Sequence, residues 1–442
     1  MTSQPPGSPP PPERPTPLPR PLPPLRESHA HLAMLGRSLT MLSLADCTSL
    51  EECLERVRGA SGAMDAHTGR EQWVLACSMR VEGWREPRWP TRQELDAVSP
   101  DRPIALMSFD HHSVAANSAA MRAAGLHDGA PDPEGGVVVR DRAGLPTGVL
   151  LESAAKRVWN AAPEPGPAER AGLVRSALRH LHALGYREVH DLLSPAWLGP
   201  LLAELSDAGE LLMPVGLYPL LPELAQQVDA ARAYARPGVR LMGGKVFADG
   251  TLNSRTAWML DPYADGDPSH PRGLALMHEP ALRGAMERAA GLGQGLAVHA
   301  IGDGAVRATL DAWEASALWR GGPARLRIEH CEVIDDADVP RFAQLGVVCS
   351  VQPCHLLADM EVLDRALPHR LDRVLPLRDL VDSGCVPGDG LVFGSDVPIV
   401  RADPGDSLQG AVERRRAGMA ASCGIGLRQA VTAEEAVRAL RC

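Results

Sequence analysis

The chain has 442 residues, 45 Lys+Arg against 55 Asp+Glu, a net charge of −10 and 45% hydrophobic residues. That is enough apolar material for a large core, and an α/β barrel with insertions absorbs about 400 residues as one domain. The acidic balance argues against a phosphate-tracking, nucleic-acid-binding surface. The longest apolar candidate, Leu211–Pro222, is too short and too interrupted by Pro214 and Pro219 to span a membrane.

Nine cysteines, an odd number without a C-x-x-C pair, exclude a disulfide scaffold and point to a reducing compartment. No basic start followed by an apolar stretch marks a signal peptide, so the expected location is cytoplasmic. Lys156 and Lys245 are the only lysines; the other 43 basic residues are arginines. A lysine in such a chain raises the question of what arginine does not supply.

Residues 1–25 are a proline-rich tail, with twelve prolines by Pro24. Proline lacks the backbone donor and fixes φ, so this stretch is expected to be disordered or polyproline II. From Arg26 onward strand-like runs alternate with helical patterns. Ser49–Ala60 reads as a capped amphipathic helix, with Glu52 three residues after Ser49. Strand-like runs follow at 187–191, 213–219, 240–248, 295–300, 325–330, 346–352 and 391–396. Helical stretches at 168–184, 279–292, 304–317 and 336–345 lie between most of them. With the segment at His29 this makes eight strands with helical crossovers, which predicts an α/β fold, a (β/α)8 TIM-type barrel over residues 26–442. The stretch of about 72–151 breaks the alternation and is expected to be an inserted subdomain after strand one.

Candidate chemistry sits at strand ends. His29 and His31 are two residues apart, which on a strand places both imidazoles on one face. Lys245, His299, His330 and Asp396 each lie at or near the C-terminal end of an expected strand, the end at which barrel active sites assemble. Four imidazoles and a carboxylate converging there suit Zn2+ or a similar divalent metal. Taken singly, His299 reads equally well as a buried histidine, Asp396 as a turn cap and Lys245 as a partner of Asp249. Lys245 has a further reading. A neutral lysine amine takes up CO2 to become a carbamate, an anion able to bridge two metal ions, and arginine cannot be deprotonated to do the same.

Six stretches carry a resemblance. They are His29–Gly36, the run from Asp110 through Asn117, Lys245–Ala257, Val298–Asp303, Arg327–His330 and Gly394–Pro398. Together they resemble the amidohydrolase superfamily, most closely its amidohydrolase-3 group, which includes N-substituted formamide deformylases. The resemblance implies metal ligation by His29, His31, Lys245, His299, His330 and Asp396. It implies general-base catalysis by Asp396, one or two divalent ions, and substrate contact by His112. The small β-sandwich of the group is expected to be largely missing. The acidic residue that precedes the first metal-binding histidine is displaced to Glu27, and the glycine expected before His112 is His111.

The expected activity is metal-dependent hydrolysis of a non-peptide C–N bond, of the amide or formamide type, by an activated water. The expected partner is a small-molecule amide, with no nucleic acid, no membrane, and a homodimer left open. The competing expectation is a catalytically silent or truncated barrel that binds a ligand or partner. Ser153-x-x-Lys156 has the spacing of a serine acyl-enzyme but lacks the companion lysine strand, and Gly291–Gly295 precedes a strand where a dinucleotide loop would follow one.

Overall fold

Apolar runs bounded by glycine, proline and capping residues become strands and helices much as the alternation predicts. The computed structural model describes residues 23–65, 73–109, 113–321 and 325–442. Contacts within these residues divide the chain into two units. One holds the residues up to Leu32 together with Leu178–Cys442, and the other is Ala33–Ala177.

Strand β1 (Leu25–Ala30) opens the first unit. The second unit is a six-stranded sheet of β2 (Leu42–Ser43), β3 (Val74–Met79), β4 (Ile104–Ser108), β5 (Ser113–Ala116), β6 (Gly136–Arg140) and β7 (Pro146–Glu152), in the order β2-β3-β4-β5-β7-β6. β2, β3 and β4 pair in parallel, and the other pairings are antiparallel. Every residue of β4 is buried because both faces of the sheet are covered. Ile104 and Leu106 enter one apolar cluster, while Ala105 and Met107 enter another, as the two-residue period of a strand requires. The unit begins well before the expected boundary at 72, since β2 and the helix Leu50–Asp65 belong to it. That helix is capped as expected: Ser49 Oγ accepts from Glu52 N at 3.2 Å, but the Glu52 carboxylate reaches back one residue further, to Thr48 N at 2.9 Å.

The first unit continues with β8 (Tyr186–Asp191), β9 (Val215–Leu217), β10 (Val239–Leu241), β11 (Gly243–Phe247), β12 (Gly295–Ala300), β13 (Leu326–His330), β14 (Val348–Val351) and β15 (Leu391–Phe393). They form two all-parallel sheets, β1-β8-β9-β10 and β11-β12-β13-β14-β15. Parallel bridges link the two at either side, Ala30 with Val397 and Leu220 with Lys245. The expected strand 240–248 is interrupted at Met242, which separates β10 from β11. Helices Glu279–Gly291, Asp303–Ser316, Val339–Gln344 and Pro353–Ala366 fall between successive strands. β13 is buried at every position despite the sequence Leu-Arg-Ile-Glu-His, so its charged side chains must find partners inside. Among the described residues no helix is long and apolar enough to cross a membrane.

The last helix, Ala433–Leu440, starts at a capping box in which Thr432 Oγ1 accepts from Glu435 N and the Glu435 carboxylate accepts from Thr432 N. After it the chain returns to β1, where Arg441 bridges Leu25 and Cys442 N donates to Pro24 O. Thr432→Ala should cost about 1 kcal/mol in urea unfolding. Hydrogen bonding and charge from Arg378, joined by Thr432, hold the Glu435 carboxyl at about 2 against an ordinary 4.5. Its stabilisation is therefore complete above pH 4.5 and disappears as pH falls through about 2. The destabilisation caused by Glu435→Gln should be full at neutral pH and shrink on acidification, and a penalty that does not change with pH would contradict this pairing.

Candidate metal centre

The sequence-predicted residues meet where the parallel strands of the first unit end. His29 is the penultimate residue of β1, His299 the penultimate residue of β12 and His330 the last of β13. Register places Ala300 opposite His330 and Phe247, two residues past Lys245, opposite His299. His31 lies just beyond β1 and Asp396 three residues beyond β15, so neither is on a strand as the sequence suggested. Both reach the cluster nonetheless. Asp396 Oδ1 lies 2.8 Å from His31 Nε2 and 3.3 Å from His29 Nε2. Ring centroids are 4.9 Å apart for His29–His330 and 4.4 Å for His299–His330. Donor atoms of His29, His330 and Asp396 all fall within 4.8 Å of one another. The backbone at His330 (φ 74°) and Asp396 (φ 63°) is left-handed, a conformation non-glycine residues adopt at a cost and that gathers at functional positions.

Burial sets the protonation of these rings. It lowers His29 to about 4, with the Lys245 charge assisting and Asp396 and Glu329 opposing, and it lowers His299 to about 3, again with Lys245. His330 is pushed well below its ordinary value by burial and then by His299 and His29. At neutral pH these are neutral imidazoles, the form that ligates a metal. Burial alone would raise the Asp396 carboxyl, but His29 and His31 outweigh it and hold the group well below the usual carboxylate range.

Partners fix the tautomers. A carboxylate accepts only, so His29 Nδ1–H donates to Glu329 Oε2 at 2.7 Å and leaves Nε2 for the cluster. His299 Nε2–H donates to Gly250 O at 3.0 Å and leaves Nδ1. Such outer partners orient metal-binding histidines. His31 Nδ1 and His330 Nδ1 are buried without a hydrogen-bond partner, a costly arrangement for a site with no ligand. Neutral, oriented imidazoles, an ionised carboxylate and orphaned ring nitrogens fit a divalent cation.

Lys245 is buried in the same region, its Nζ 5.3 Å from the Phe247 ring centroid. Burial lowers its amine to about 8, against the opposing charges of Glu329 and Asp396. The alternative pairing with Asp249 is not formed. The Asp249 carboxylate instead accepts from Trp258 N, Ile301 N and Gly302 N at 2.8–3.0 Å.

Several supporting residues carried no assigned role in the sequence. Arg327 Nε donates to Glu329 Oε1 at 2.8 Å, and its Nη2 donates to Ser28 O and Ser350 Oγ. Arg327 and His29 thereby hold the Glu329 carboxyl ionised against the effect of its burial. Glu27 accepts from His29 N, Ser395 N and Ser395 Oγ at 2.8–3.0 Å, tying β1 to the segment that carries Asp396. His355 stands between Glu332 Oε1 (3.3 Å from Nδ1) and Ser395 O (3.3 Å from Nε2), with Asp396 Oδ2 at 4.0 Å. His330, Glu332 and His355 form a second group with donor atoms within 4.8 Å. His112, the expected substrate contact, lies outside the described residues. Asn117 from the same stretch is fully engaged: its Oδ1 accepts from Ile104 N and Ala120 N, and its Nδ2 donates to Ser99 O and Arg102 O.

Residues 22–441 match the amidohydrolase family. The chain belongs to that family. The YtcJ protein of Bacillus subtilis (strain 168) is 30% identical over 422 residues, covering 92% of this chain and 76% of that protein. An N-substituted formamide deformylase of Arthrobacter pascens is 30% identical over 381 residues, covering 83% of this chain and 68% of that one. The crystal structure of an uncharacterized metal-dependent hydrolase from Pyrococcus horikoshii OT3 superposes with a TM-score of 0.73 at 27% identity, over 94% of this chain and 78% of that one. This amidohydrolase is thus a hydrolase. Since Glu329 orients His29 from behind, Glu329→Gln should weaken zinc binding by roughly 10- to 100-fold, measured by competition with a chromophoric chelator.

Proposed function

We propose that this amidohydrolase cleaves a non-peptide carbon–nitrogen bond, of the amide or formamide type, in a small molecule. In this reading the eight parallel strand positions of the first unit close into a (β/α)8 barrel, with β10 and β11 acting as one strand. The two bridges between the sheets support that closure. The observation that carries the function is the convergence of His29, His31, His299, His330 and Asp396 at the C-terminal strand ends, with three of the four rings held neutral by burial. The similarity to the N-substituted formamide deformylase of Arthrobacter pascens supports a formamide-type substrate.

His29 through Nε2, His299 through Nδ1, His31, His330 and Asp396 would hold the ion, with Zn2+ favoured by the nitrogen-rich donor set. When bound, a divalent cation lowers the pKa of a water toward neutrality and polarises a carbonyl. Asp396 supplies the proton chemistry. Its carboxylate is ionised and set beside His29 and His31, placed to take a proton from the attacking water. As the tetrahedral species collapses, the same carboxyl returns the proton to the departing amine, so water adds across the C–N bond. Glu329 and Arg327 keep His29 from rotating, and Glu27 fixes the backbone on either side of the pair. A Lys245 amine lowered to about 8 is neutral in part at neutral pH, which supports its reaction with CO2 to give a carbamate and a proton.

Asp396→Asn should keep the fold and lose roughly 100- to 10,000-fold in kcat on the best substrate from a panel of N-formyl and N-acyl amines. Turnover near the wild-type rate would remove Asp396 as the base. Lys245→Ala should lower the zinc content measured by elemental analysis, and a short carboxylic acid should restore part of it. An unchanged metal count would take Lys245 out of the site.

A further inference from the structure

A cavity of about 380 Å3 is lined by residues where β1, β12, β13, β14 and β15 begin, together with His190 of β8, Tyr218 just after β9, Leu241 at the end of β10 and Met242 between β10 and β11. It is the size of pockets that take small organic ligands. Three guanidinium groups line it, those of Arg26, Arg325 and Arg327, against the single carboxylate of Asp389. Arg327 is buried, and its charge is matched on the far side by Glu329. Arg26 uses Nε on Ser28 Oγ and Nη2 on Gly388 O, both at 3.1 Å, leaving Nη1 without a described partner. The Arg325 side chain is 77% exposed, and its contact with Asp389 is long at 3.9 Å, so it is free to turn toward a ligand. Val348 and Val392 supply an apolar wall.

Glu188 acts on Arg26 and Glu329 on Arg327 from outside the cavity, but among the groups that line it three guanidiniums face one carboxylate, which favours an anion. Planar guanidinium forks favour a planar carboxylate, which they bind with paired, charge-assisted hydrogen bonds. The apolar wall favours a short hydrocarbon attached to it. We propose that this cavity binds a short aliphatic carboxylate, its head on Arg26 and Arg325 and its tail along Val348 and Val392. Arg26, Arg325, Val348 and Val392, which would touch the ligand, lie at strand starts, whereas the histidines of the metal centre lie at strand ends; Arg327 lines the cavity and also holds Glu329 behind His29. The site does not depend on which bond the enzyme cleaves.

The test is calorimetric titration of zinc-loaded protein with butyrate at constant ionic strength. Saturable binding is expected, weaker by roughly tenfold in Arg26→Met and in Arg325→Ala, as the loss of one charge-assisted hydrogen bond predicts. Zinc content should stay unchanged in both. The exposed Arg325→Ala carries the comparison if Arg26→Met does not fold. Absence of saturable heat overturns the proposal, and so does binding that both variants retain in full, which would place butyrate on the metal centre. Butylammonium binding as tightly as butyrate overturns the anion assignment, and inorganic phosphate binding more tightly overturns the carboxylate assignment. Wild-type protein that binds butyrate yet hydrolyses no amide leaves this site standing and removes only the reaction proposed above.

Discussion

The buried contact between Arg327, Glu329 and His29 is the constraint on which the centre depends. A charged pair on a fully buried strand costs several kcal/mol of desolvation and is tolerated only when each group is answered. Here each is. Glu329 takes Arg327 on one oxygen and His29 on the other, and the remaining Arg327 donors go to Ser28 O, Ser350 Oγ and His190 Nδ1. Those partners lie on four strands or their immediate ends, so the pair locks strand register while it chooses the tautomer of His29. Breaking such a pair by removing one charge typically costs about 3–5 kcal/mol. Stability and ligand geometry therefore rest on the same carboxylate.

Backbone geometry adds a second constraint. His330 at the end of β13 and Asp396 three residues past β15 are both in the left-handed region, which turns their side chains away from the plain alternation of a strand. Glu27 offsets this locally by accepting from Ser395 N and Oγ while also accepting from His29 N. One buried carboxylate thus fixes two ligand-bearing segments that lie more than 360 positions apart in the chain.

Much of the centre was legible in the sequence because its residue types are scarce. Fifteen histidines and two lysines in 442 residues leave few positions to weigh, and those at the ends of apolar runs stand out. Arg327 and Glu329 lay inside a motif that was recognised, yet their roles were invisible: arginine and glutamate are abundant here, and only the fold shows that these two are buried. His355 and Glu332 were missed because His355 opens a helix and does not end a strand. The parallel strands were legible from continuous apolar runs. The break at Met242 and the positions of His31 and Asp396 just past their strands were not, since hydrogen-bond pairing decides where a strand stops. The sheet of the second unit was only partly legible because its antiparallel strands are short and set among polar turns, and β2 has only two residues.

The scarcity of lysine also has a practical side. Lys156 is exposed near the end of a short helix in the second unit, whereas Lys245 is shut inside the first. Of the two lysines, an amine-directed dye or surface linker will therefore find Lys156 first, which gives a single lysine attachment without engineering. Delayed labelling of Lys245 would then serve as an intrinsic clock for the opening of the first unit.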